Sequence, residues 1–393
     1  MFAGILREPP DMIMSLWAAY QSDTRPDKID LGMGVYRAED GSTPVMEAVR
    51  AAQRILAETE TTKAYRSPIG DPDFTRALSG IVLGENAPVE RMSAIQTPGG
   101  SGALALGAAL LSELATAPKL LIPEQTWVNH RAIFRSAGFE VGTYPYFDAA
   151  TGRVDIDAMA DRLEKADPDT VVLLHGCCHN PTGADPEAEA WNRFAEIIGR
   201  RRMLPFVDLA YQGFGDGLAE DAYGVRRLAE AVPEMLVAIS CSKNFAVYRE
   251  RAGMLLVLAE NAGEASAAQS RLASRARNTY SMPPEHGAAL VRTILGDLQL
   301  TEQWISELDL MRKRIKSLRR SLAAAFRVRT NDDRHDFLER NKGMFSRLDV
   351  TPEQVSRLHQ EHGVYVVDDG RINVAGLRLE QIPRFVDAVV AVS

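Results

Sequence analysis

Cysteine is scarce in this chain. Only three occur among 393 residues, and two of them, Cys177 and Cys178, are adjacent. So few thiols give no disulfide framework, and their positions do not match the paired spacings of zinc-binding motifs. We therefore expect no structural metal and no disulfide-stabilised extracellular fold. A reducing cytoplasm is the compartment that this cysteine usage favours.

Long hydrophobic runs are also missing. No apolar stretch approaches the roughly 18 residues that a transmembrane helix needs. At the N-terminus, no charged segment precedes a long apolar one in MFAGILREPPDMIM, so the pattern of a secretory signal peptide is absent. The sequence thus predicts a protein with no membrane contact and no export.

An excess of positive charge is absent as well. The formal net charge is −8 at pH 7, whereas neutralising nucleic-acid phosphates requires a basic face, so nucleic acid is not an expected partner. The strongest local exception is the stretch MRKRIKSLRR at 311–320. Because apolar residues recur around it at steps of three and four, the pattern predicts one long amphipathic helix, beginning near Thr301, with its basic face in water. Its apolar positions are Trp304, Leu308, Met311, Ile315, Leu318 and Leu322.

What the sequence does contain is an alternation of helical patterns with short apolar runs. Runs typical of buried strands are VVLLHG, LPFVD, MLVAIS and MLLVL, and one helical face carries Phe74, Leu78, Ile81 and Val82. This alternation predicts an α/β fold, with a mostly parallel sheet between helices and ligands at the carboxyl ends of the strands. We expect a large domain over residues 46–310 and a smaller α/β domain over 311–393, which an N-terminal arm at 1–45 completes.

One lysine lies where such a sheet would deliver it into a site. Lys243 follows the apolar run MLVAIS closely, within SCSKNFAVYRERAG, and a lysine in such a position is a candidate Schiff-base nucleophile. Arg251 comes eight residues later, just before another apolar run, so its guanidinium could bind a phosphate in the same pocket. An amine and a phosphate clamp this close together suggest a phosphorylated aldehyde as cofactor. The alternative for Lys243 is a solvated loop lysine.

A carboxylate ends another apolar run. Asp208 lies in LPFVDLAYQGF, and burying it requires a cationic or hydrogen-bond-donating partner, such as the N–H of a pyridinium ring. Tyr211, three residues on, is placed to donate to a phenolate oxygen of that ring. In QTWVNH, Trp127 offers a flat face for stacking, and His130 is a candidate donor to Asp208. The alternatives are a helix N-cap for Asp208 and a buried tryptophan without a ligand.

Two turns follow apolar segments in the same way. The segment TPGGSGAL at 97–104 opens a helical run, where backbone N–H groups and the Ser101 hydroxyl can bind an anion. The segment HGCCHNPTG at 175–183 places Asn180 after a strand, and the peptide bond before Pro181 is a candidate for the cis form. Taken singly, both segments also fit plain turns.

Together these residues resemble those of the pyridoxal-phosphate-dependent aminotransferases of the aspartate and aromatic amino acid type. The resemblance runs from IDLGMGVYRAEDGSTP at 29–44 to DDGRINVAGL at 368–377. It implies the fold type I architecture of pyridoxal phosphate enzymes, pyridoxal 5'-phosphate as the cofactor, and ping-pong transamination of amino acids and 2-oxo acids. It also implies a homodimer with shared active sites.

The resemblance assigns a role to each matching residue. Lys243 matches the lysine that binds the cofactor covalently and then moves the substrate proton, which requires an amine of low pKa. Asp208 matches the partner of the ring nitrogen, and Tyr211 matches the donor to the phenolate. The other implied cofactor residues are Gly100, Ser101, Ser240 and Arg251 at the phosphate, Asn180 beside Tyr211, Trp127 over the ring, and Tyr65, which reaches the phosphate of the opposite subunit.

Two arginines are implied in substrate binding. Arg371, in DDGRINVAG, matches the residue that grips the α-carboxylate, a task suited to a bidentate guanidinium. Taken alone, it also fits a surface arginine beside two aspartates. Arg277 matches an arginine that binds the side-chain carboxylate of aspartate or glutamate in the opposite subunit, although Arg275 lies only two residues away. The implied substrate-binding set is completed by Gly34, Trp127 and Asn180.

Two methionines bear on the choice of substrate. Met282 stands where many aspartate-selective members have asparagine, and Met33 lies near the substrate entrance; both are flexible apolar side chains that adapt to large rings. We therefore expect tyrosine, phenylalanine and tryptophan as amino donors besides aspartate, with 2-oxoglutarate or oxaloacetate as acceptor. The alternative is an aspartate-selective aminotransferase with little aromatic activity. Arg347, in GMFSRL, replaces a commoner apolar residue, and the sequence assigns it no role.

Three other functions fit parts of the pattern. A decarboxylase or β-lyase that uses pyridoxal phosphate would share most of the cofactor residues. A nicotinamide dehydrogenase is the general expectation for a doubly wound sheet, but no GxGxxG follows an N-terminal strand. A transcription regulator with this fold would need a DNA-binding extension, and the resemblance begins at residue 29.

Overall fold

The computed structural model describes residues 2–7 and 10–393. Its strands are β1 (Ile29–Asp30), β2 (Met92–Pro98), β3 (Lys119–Pro123), β4 (Glu140–Tyr144), β5 (Phe147–Asp148), β6 (Arg153–Val154), β7 (Val171–His175), β8 (Leu204–Leu209), β9 (Met235–Ser240), β10 (Ala252–Leu258), β11 (Phe345–Arg347), β12 (Val364–Tyr365) and β13 (Arg371–Asn373). Its α-helices are α1 (Met12–Ser22), α2 (Glu47–Thr59), α3 (Pro72–Leu83), α4 (Gly99–Leu111), α5 (Asn129–Ser136), α6 (Ile156–Glu164), α7 (Ala188–Arg200), α8 (Tyr223–Ala231), α9 (Ala262–Thr279), α10 (Glu285–Leu295), α11 (Leu298–Thr330), α12 (Phe337–Arg340), α13 (Pro352–His362) and α14 (Ile382–Val392).

The chain forms two compact units, of which the larger comprises Pro44–Arg314 and Asn341–Gly343. Its centre is a seven-stranded sheet with the order β2-β10-β9-β8-β7-β3-β4. β10 runs antiparallel to both neighbours, and the other neighbouring strands pair in parallel. All four predicted strands are confirmed, as β7, β8, β9 and β10. The predicted α/β fold with a mostly parallel sheet is confirmed with them.

The inner strands are mostly apolar, with polar residues only near their carboxyl ends, because helices cover both faces of the sheet. Every residue of β7, β9 and β10 is buried, as expected for a strand with no solvent-facing side. Between sheet and helices, Leu104, Phe134, Phe206 and Leu255 belong to one apolar cluster. On α3, three of the four predicted apolar positions are buried and the fourth, Ile81, is half-buried.

Because β10 runs antiparallel to β9, the turn between them lies at the edge of the sheet where the parallel strands have their carboxyl ends. The chain leaves β9 at Ser240 and re-enters the sheet at Ala252, running back beside it. The turn at 241–251 therefore lies at the carboxyl ends of β8 and β9, and both Lys243 and Arg251 belong to it. A parallel strand would have needed a crossover that starts it at the opposite edge.

The smaller unit is built from both ends of the sequence. It comprises the described residues up to Thr43 together with Ile315–Arg340 and Met344–Ser393. β1 pairs in parallel with β12, so that Ile29 lies opposite Val364. β11 pairs antiparallel with β13, with Arg347 opposite Arg371. An apolar cluster that includes Leu31, Phe326, Ile372 and Phe385 forms its core.

The predicted basic helix is confirmed as α11, and its six apolar positions are all buried. The expectation of a solvated basic face is wrong at Arg319, which is only 1% exposed. Its guanidinium donates to acceptors on α12 and β11 that periodicity alone does not reveal. Among the described helices, including this long one, none has an apolar stretch sufficient to cross a membrane.

The N-terminal part of α11 supports the turn that carries Lys243. Trp304 is 1% exposed, and its ring stacks on Phe245, with centroids 4.4 Å apart. Its indole Nε1 donates to the carbonyl oxygen of Asn244 at 2.8 Å. The two residues that follow Lys243 are thus held by one buried tryptophan.

Candidate active site

Lys243 lies in the turn between β9 and β10 and is half-buried. Its Nζ is 4.8 Å from the centre of the Tyr211 ring. Desolvation lowers the pKa of the Lys243 amine; the Asp208 carboxylate opposes this shift and the Arg251 guanidinium adds to it. The net downward shift favours the neutral amine, which is the form that acts as a nucleophile or a base.

Asp208 lies near the end of β8, with its side chain 11% exposed. Its Oδ2 is 3.0 Å from Nε2 of His130. Burial raises the pKa of the Asp208 carboxyl, but the hydrogen bond with His130 and the surrounding positive charge, first of all that of His130, together outweigh burial, and the net shift is downward. The carboxylate therefore stays ionised and provides a negative charge that is largely shielded from solvent. It lies in a strand, which contradicts the alternative of a helix N-cap.

A chain of hydrogen bonds extends from Asp208 through His130. The second ring nitrogen of His130, Nδ1, is 2.8 Å from Thr126 Oγ1, and the same hydroxyl is 2.9 Å from Nε2 of His175. Burial lowers the pKa of His175 to about 3, so this ring is neutral at pH 7. The contact predicted for His130 is confirmed. Thr126 and His175 were not predicted as site residues, because their only signal in the sequence is their position at or just after the ends of β3 and β7.

The segment after β7 brings an amide to Tyr211. Nδ2 of Asn180 is 3.5 Å from Oη of Tyr211, and the peptide bond between Asn180 and Pro181 is cis. Oδ1 of Asn180 is buried and has no hydrogen-bond partner among the described residues. Because an unsatisfied buried oxygen is costly, this atom indicates that a ligand completes the cluster.

Asp185, which was not predicted as a site residue, binds the backbone of the same segment. Its Oδ2 accepts the N–H of Cys178 at 2.6 Å, and its Oδ1 accepts the N–H of His179 at 2.9 Å. Burial raises the pKa of Asp185 to about 6, although the two hydrogen bonds and the charge of Lys342 act in the opposite direction. One carboxylate thus fixes the two backbone N–H groups that directly precede Asn180.

The first turn of α4 and the Arg251 guanidinium form a cradle. α4 begins at Gly99, whose φ of 69° favours glycine. A Cβ on Gly99 would lie 2.4 Å from Nη2 of Arg251, and one on Gly100 would lie 3.1 Å from Cβ of Ser240. Nη1 of Arg251 donates to Ser242 Oγ at 3.3 Å. Helix N–H groups and a guanidinium this close together suit a phosphate.

Two further predicted residues border this cluster. Trp127 is half-buried, and its ring meets that of His130 edge-on, with centroids 5.3 Å apart. It therefore contacts the residue that supports Asp208 and is not sealed into the core. Ser101 is half-buried in the first turn of α4.

Tyr65 and Arg277 lie on the surface of the larger unit. Tyr65 is 92% exposed. Arg277, in the last turn of α9, is also exposed, and its Nη1 donates to Ser281 Oγ at 2.7 Å. Arg275 is different, since its Nε lies 2.5 Å from a carboxylate oxygen of Glu113. Among residues 2–7 and 10–393, Arg275 has an ion-pair partner and Arg277 has none.

In the smaller unit, Arg371 is 5% exposed, which contradicts the alternative of a surface arginine. Its guanidinium carbon is 4.8 Å from the centre of the Phe345 ring. Its Nη2 donates to the carbonyl oxygen of Gly32 at 2.7 Å. A Cβ on Gly34 would lie 3.2 Å from Cζ of Phe345, so the absence of a side chain lets the backbone pass close to this ring.

The residues expected to bear on substrate choice lie in both units. In the smaller unit Met33 is half-buried, and Nε of Arg347 donates to the carbonyl oxygen of Asp369 at 2.8 Å. This bond ties β11 to the loop before β13. In the larger unit the sulfur of Met282 accepts the backbone N–H of Arg66 at 3.3 Å.

The adjacent cysteines lie close to a third potential metal ligand. Cys177, Cys178 and Asp221 are buried, with their ligand atoms within 4.8 Å of one another. The Asp221 carboxylate, however, accepts the backbone N–H groups of Gly213, Gly215 and Asp216. A hydrogen bond with Cys178 and then burial raise the pKa of the Cys177 thiol, so a protonated thiol and an occupied carboxylate make a poor metal site.

The donor set of the larger unit fits a phosphorylated pyridine aldehyde. It offers an amine of lowered pKa at Lys243, an ionised carboxylate for a ring N–H at Asp208, and an incomplete amide at Asn180. It also contains the cradle formed by the first turn of α4 and the Arg251 guanidinium, where a Cβ on Gly99 would clash with Nη2 of Arg251. Such a set can bind an aldehyde covalently and move protons beside it.

A protein-family model described as Aminotransferase class I and II matches residues 26–389. The chain is 44% identical over 392 residues to the aromatic-amino-acid aminotransferase of Paracoccus denitrificans, with 100% of both chains covered. It is 40% identical over 395 residues to the aspartate aminotransferase of Escherichia coli (strain K12), again with 100% of both covered. A solved structure of the aromatic-amino-acid aminotransferase from Burkholderia pseudomallei, covalently bound to pyridoxal phosphate, is similar with a TM-score of 0.96 and 39% identity, covering 100% of this chain and 99% of the other.

Proposed function

Since the chain belongs to the class I and II aminotransferase family, it is an aminotransferase, and we propose that it moves the amino group of tyrosine, phenylalanine and aspartate to 2-oxoglutarate. The observation that carries this proposal is the half-buried amine of Lys243, with its lowered pKa, in one cluster with the Asp208 carboxylate. Relatives with both aromatic and aspartate names support the two donor classes. The dehydrogenase and regulator alternatives have no such support.

The cofactor is pyridoxal 5'-phosphate, which when bound supplies an aldehyde that carries the amino group and an electron-withdrawing ring. We propose that Asp208 binds the ring nitrogen, and that Tyr211 and Asn180 bind the phenolate oxygen. Trp127 would stack on the ring. The proposed phosphate ligands are Gly100, Ser101, Ser240 and Arg251, together with Tyr65 of the partner subunit. All of these residues lie within 46–310 of their own chain, and we propose this range as the cofactor-binding domain.

Lys243 is proposed to have two tasks. Its neutral Nζ would hold the cofactor covalently through the aldehyde carbon, with loss of water. When an incoming amino group frees it, the same Nζ would accept the proton from the substrate α-carbon and later give it up again. Desolvation and the charge of Arg251 favour the neutral amine that both tasks need.

Two guanidinium groups are proposed to bind the substrate carboxylates. Arg371 would bind the α-carboxylate through paired N–H donors, with Gly34 beside it. Arg277 of the partner subunit would bind the side-chain carboxylate of a dicarboxylic substrate. The exposed positions of Arg277 and Tyr65 support this arrangement, because both side chains are available to a second chain. The protein is therefore proposed to be a homodimer with shared sites.

Mixing two inactive variants tests the shared sites. In a heterodimer of Lys243→Ala and Arg277→Ala subunits, one site keeps both residues and the other lacks both. Random mixing should therefore restore aspartate activity to about a quarter of that of the wild type, since half of the dimers carry one intact site each. The measurement is kcat/KM for aspartate after joint refolding. Activity no greater than the sum of the separate variants would contradict shared sites.

The two methionines are proposed to admit aromatic substrates. Met33 and Met282 are both half-buried, so their flexible thioethers are neither locked in a core nor fully solvated. An aromatic ring can then displace or cover them without leaving a buried polar group unpaired. Asparagine at position 282 would oppose this by requiring hydrogen-bond partners.

Steady-state kinetics with a panel of donors tests the substrate proposal. With 2-oxoglutarate as acceptor, we expect phenylalanine and tyrosine to have kcat/KM values within about 100-fold of that for aspartate, because Met33 and Met282 give an aromatic ring apolar contacts that offset the missing carboxylate contact. Formation of each 2-oxo acid is the measured quantity. A phenylalanine value thousands of times below that of aspartate would instead establish an aspartate-selective enzyme. Release of CO₂ or ammonia would establish a decarboxylase or a lyase.

A further inference from the structure

Arg319 is a buried cation that the proposed mechanism does not use. It lies on α11 and is 1% exposed, although it belongs to the basic stretch expected to face water. A guanidinium has five N–H donors and no acceptor, and burying it is costly unless its partners are well placed. The position of those partners therefore indicates its role.

Arg319 joins α11 to two other segments of the smaller unit. Its Nη1 donates to the carbonyl oxygen of Leu338 in α12 at 3.0 Å and to Oγ of Ser346 in β11 at 2.8 Å. Its Nη2 donates to the carbonyl oxygen of Phe345. A planar guanidinium reaches such acceptors at fixed angles, which an ammonium group on a flexible stem does not reproduce. β11 is thereby fixed against α11.

The ribbon of β11 and β13 has two faces. Because side chains alternate along a strand, Ser346 points to the face that Arg319 contacts, and Phe345 points to the other. Arg371 lies opposite Arg347 in the ladder, and its guanidinium carbon is 4.8 Å from the Phe345 ring. Arg319 thus contacts the back of the ribbon whose front carries Arg371.

We propose that Arg319 is a positioning residue for substrate binding. Its hydrogen bonds to β11 fix the position of the Phe345 ring, and this ring contacts the Arg371 guanidinium and orients it toward the α-carboxylate. The proposal rests on the proposed role of Arg371. Without Arg319, the Ser346 hydroxyl loses a donor and β11 shifts to recover its hydrogen bonds. The Phe345 ring shifts with the strand. Loss of the guanidinium also takes a donor from buried acceptors on α12 and β11 and so lowers the free energy of unfolding; carboxylate binding is therefore measured on the folded holoenzyme.

Equilibrium binding to the holoenzyme tests this proposal. The probe is 3-phenylpropionate, an aromatic carboxylate without an amine, followed through the visible absorbance of the bound cofactor. Arg319→Met should raise its Kd about 10- to 100-fold, because a bidentate carboxylate contact is lost or misaligned. Arg319→Lys should show a smaller loss. The matched control is Arg320→Met, whose wild-type side chain is 74% exposed and pairs with Glu339; its Kd should stay within about twofold of the wild type.

Two further measurements separate positioning from a general weakening of the protein. If Arg319 acts through Arg371, the double variant Arg319→Met/Arg371→Lys should bind the probe as weakly as Arg371→Lys alone, because coupled residues are not additive. Hydroxylamine reacts with the cofactor aldehyde and needs no carboxylate contact. Its reaction rate in Arg319→Met should therefore equal that of the wild type.

Several results would overturn the inference. One is an Arg319→Met variant whose Kd for 3-phenylpropionate equals that of the wild type. Another is a double variant in which the losses of affinity of the two single variants add. If Arg319→Met does not fold, Ser346→Ala removes one acceptor of Arg319 and should weaken the probe in the same direction by a smaller factor; an unchanged Kd overturns the inference too. Wild-type affinity in Arg371→Lys would instead overturn the role proposed for Arg371, and absent transamination in the wild type would overturn the proposed function.

Discussion

Replacing Lys243 by alanine should lower kcat for transamination by about 10⁴- to 10⁶-fold, the scale on which enzymes lose a residue that is both nucleophile and base. The structure gives the physical reason. One amine of lowered pKa lies 4.8 Å from the Tyr211 ring, in the cluster that also contains Asp208. In the proposed mechanism, loss of this amine removes both the covalent attachment and the group that moves the α-proton.

Single-turnover kinetics with aspartate and with phenylalanine should measure this loss, with the cofactor absorbance as signal. Lys243→Arg is the matched variant, because it keeps a positive charge but cannot give a neutral amine. It should be about as inactive as the alanine variant. Lys313→Ala, which removes a lysine that is 69% exposed, is the control and should keep normal rates. A Lys243→Arg enzyme with a near-normal rate would show that charge alone, and not proton transfer, is what position 243 supplies.

Replacing Asp208 by asparagine should lower kcat by about 10²- to 10³-fold, the range seen when one preorganised electrostatic contact is removed. The amide is nearly the same shape and can still accept from His130, which lies 3.0 Å away. It has no negative charge, however, and does not hold a proton on the ring nitrogen of the cofactor. The ring would then withdraw electrons less strongly from the substrate.

The Asp208 prediction is checked by single-turnover rates together with the affinity for the cofactor. Asp167→Asn is a suitable control, because Asp167 is 65% exposed in an ion pair with Lys119 in the same unit. We expect the Asp208 variant to bind the cofactor more weakly and the control to match the wild type. A rate for Asp208→Asn within a few-fold of the wild type would mean that the carboxylate is structural.

The strands and the residues that follow them were predictable because the information is local. Buried parallel strands are apolar throughout, so a polar residue at the end of such a run is conspicuous, as with Asp208 in β8 or Lys243 after β9. A helix that begins with glycines is equally visible in the sequence at 97–104. The cluster of the larger unit could thus be proposed residue by residue, and the structure brings Lys243, Asp208, Tyr211 and Asn180 together.

The remaining features depend on contacts between distant segments. Thr126 joins His130 to His175 only because β3 lies beside β7 in the sheet, although about 50 residues separate these strands in the chain. The burial of Arg319 depends on acceptors in α12 and β11, and no helical periodicity records them. The antiparallel direction of β10 is also not visible in an apolar run, since such a run has no preferred direction.

The pairing of β1 with β12 has a consequence for synthesis on the ribosome. Ile29 is synthesised 335 residues before Val364, its partner in the ladder. Similarly, the Arg25 guanidinium donates to carbonyl oxygens of His359 and Gln360. The uninterrupted stretch 44–314 can collapse during elongation, but β1 has no strand partner until residues 364–365 have been synthesised. A long-lived nascent chain with an unpaired strand edge is what chaperones bind.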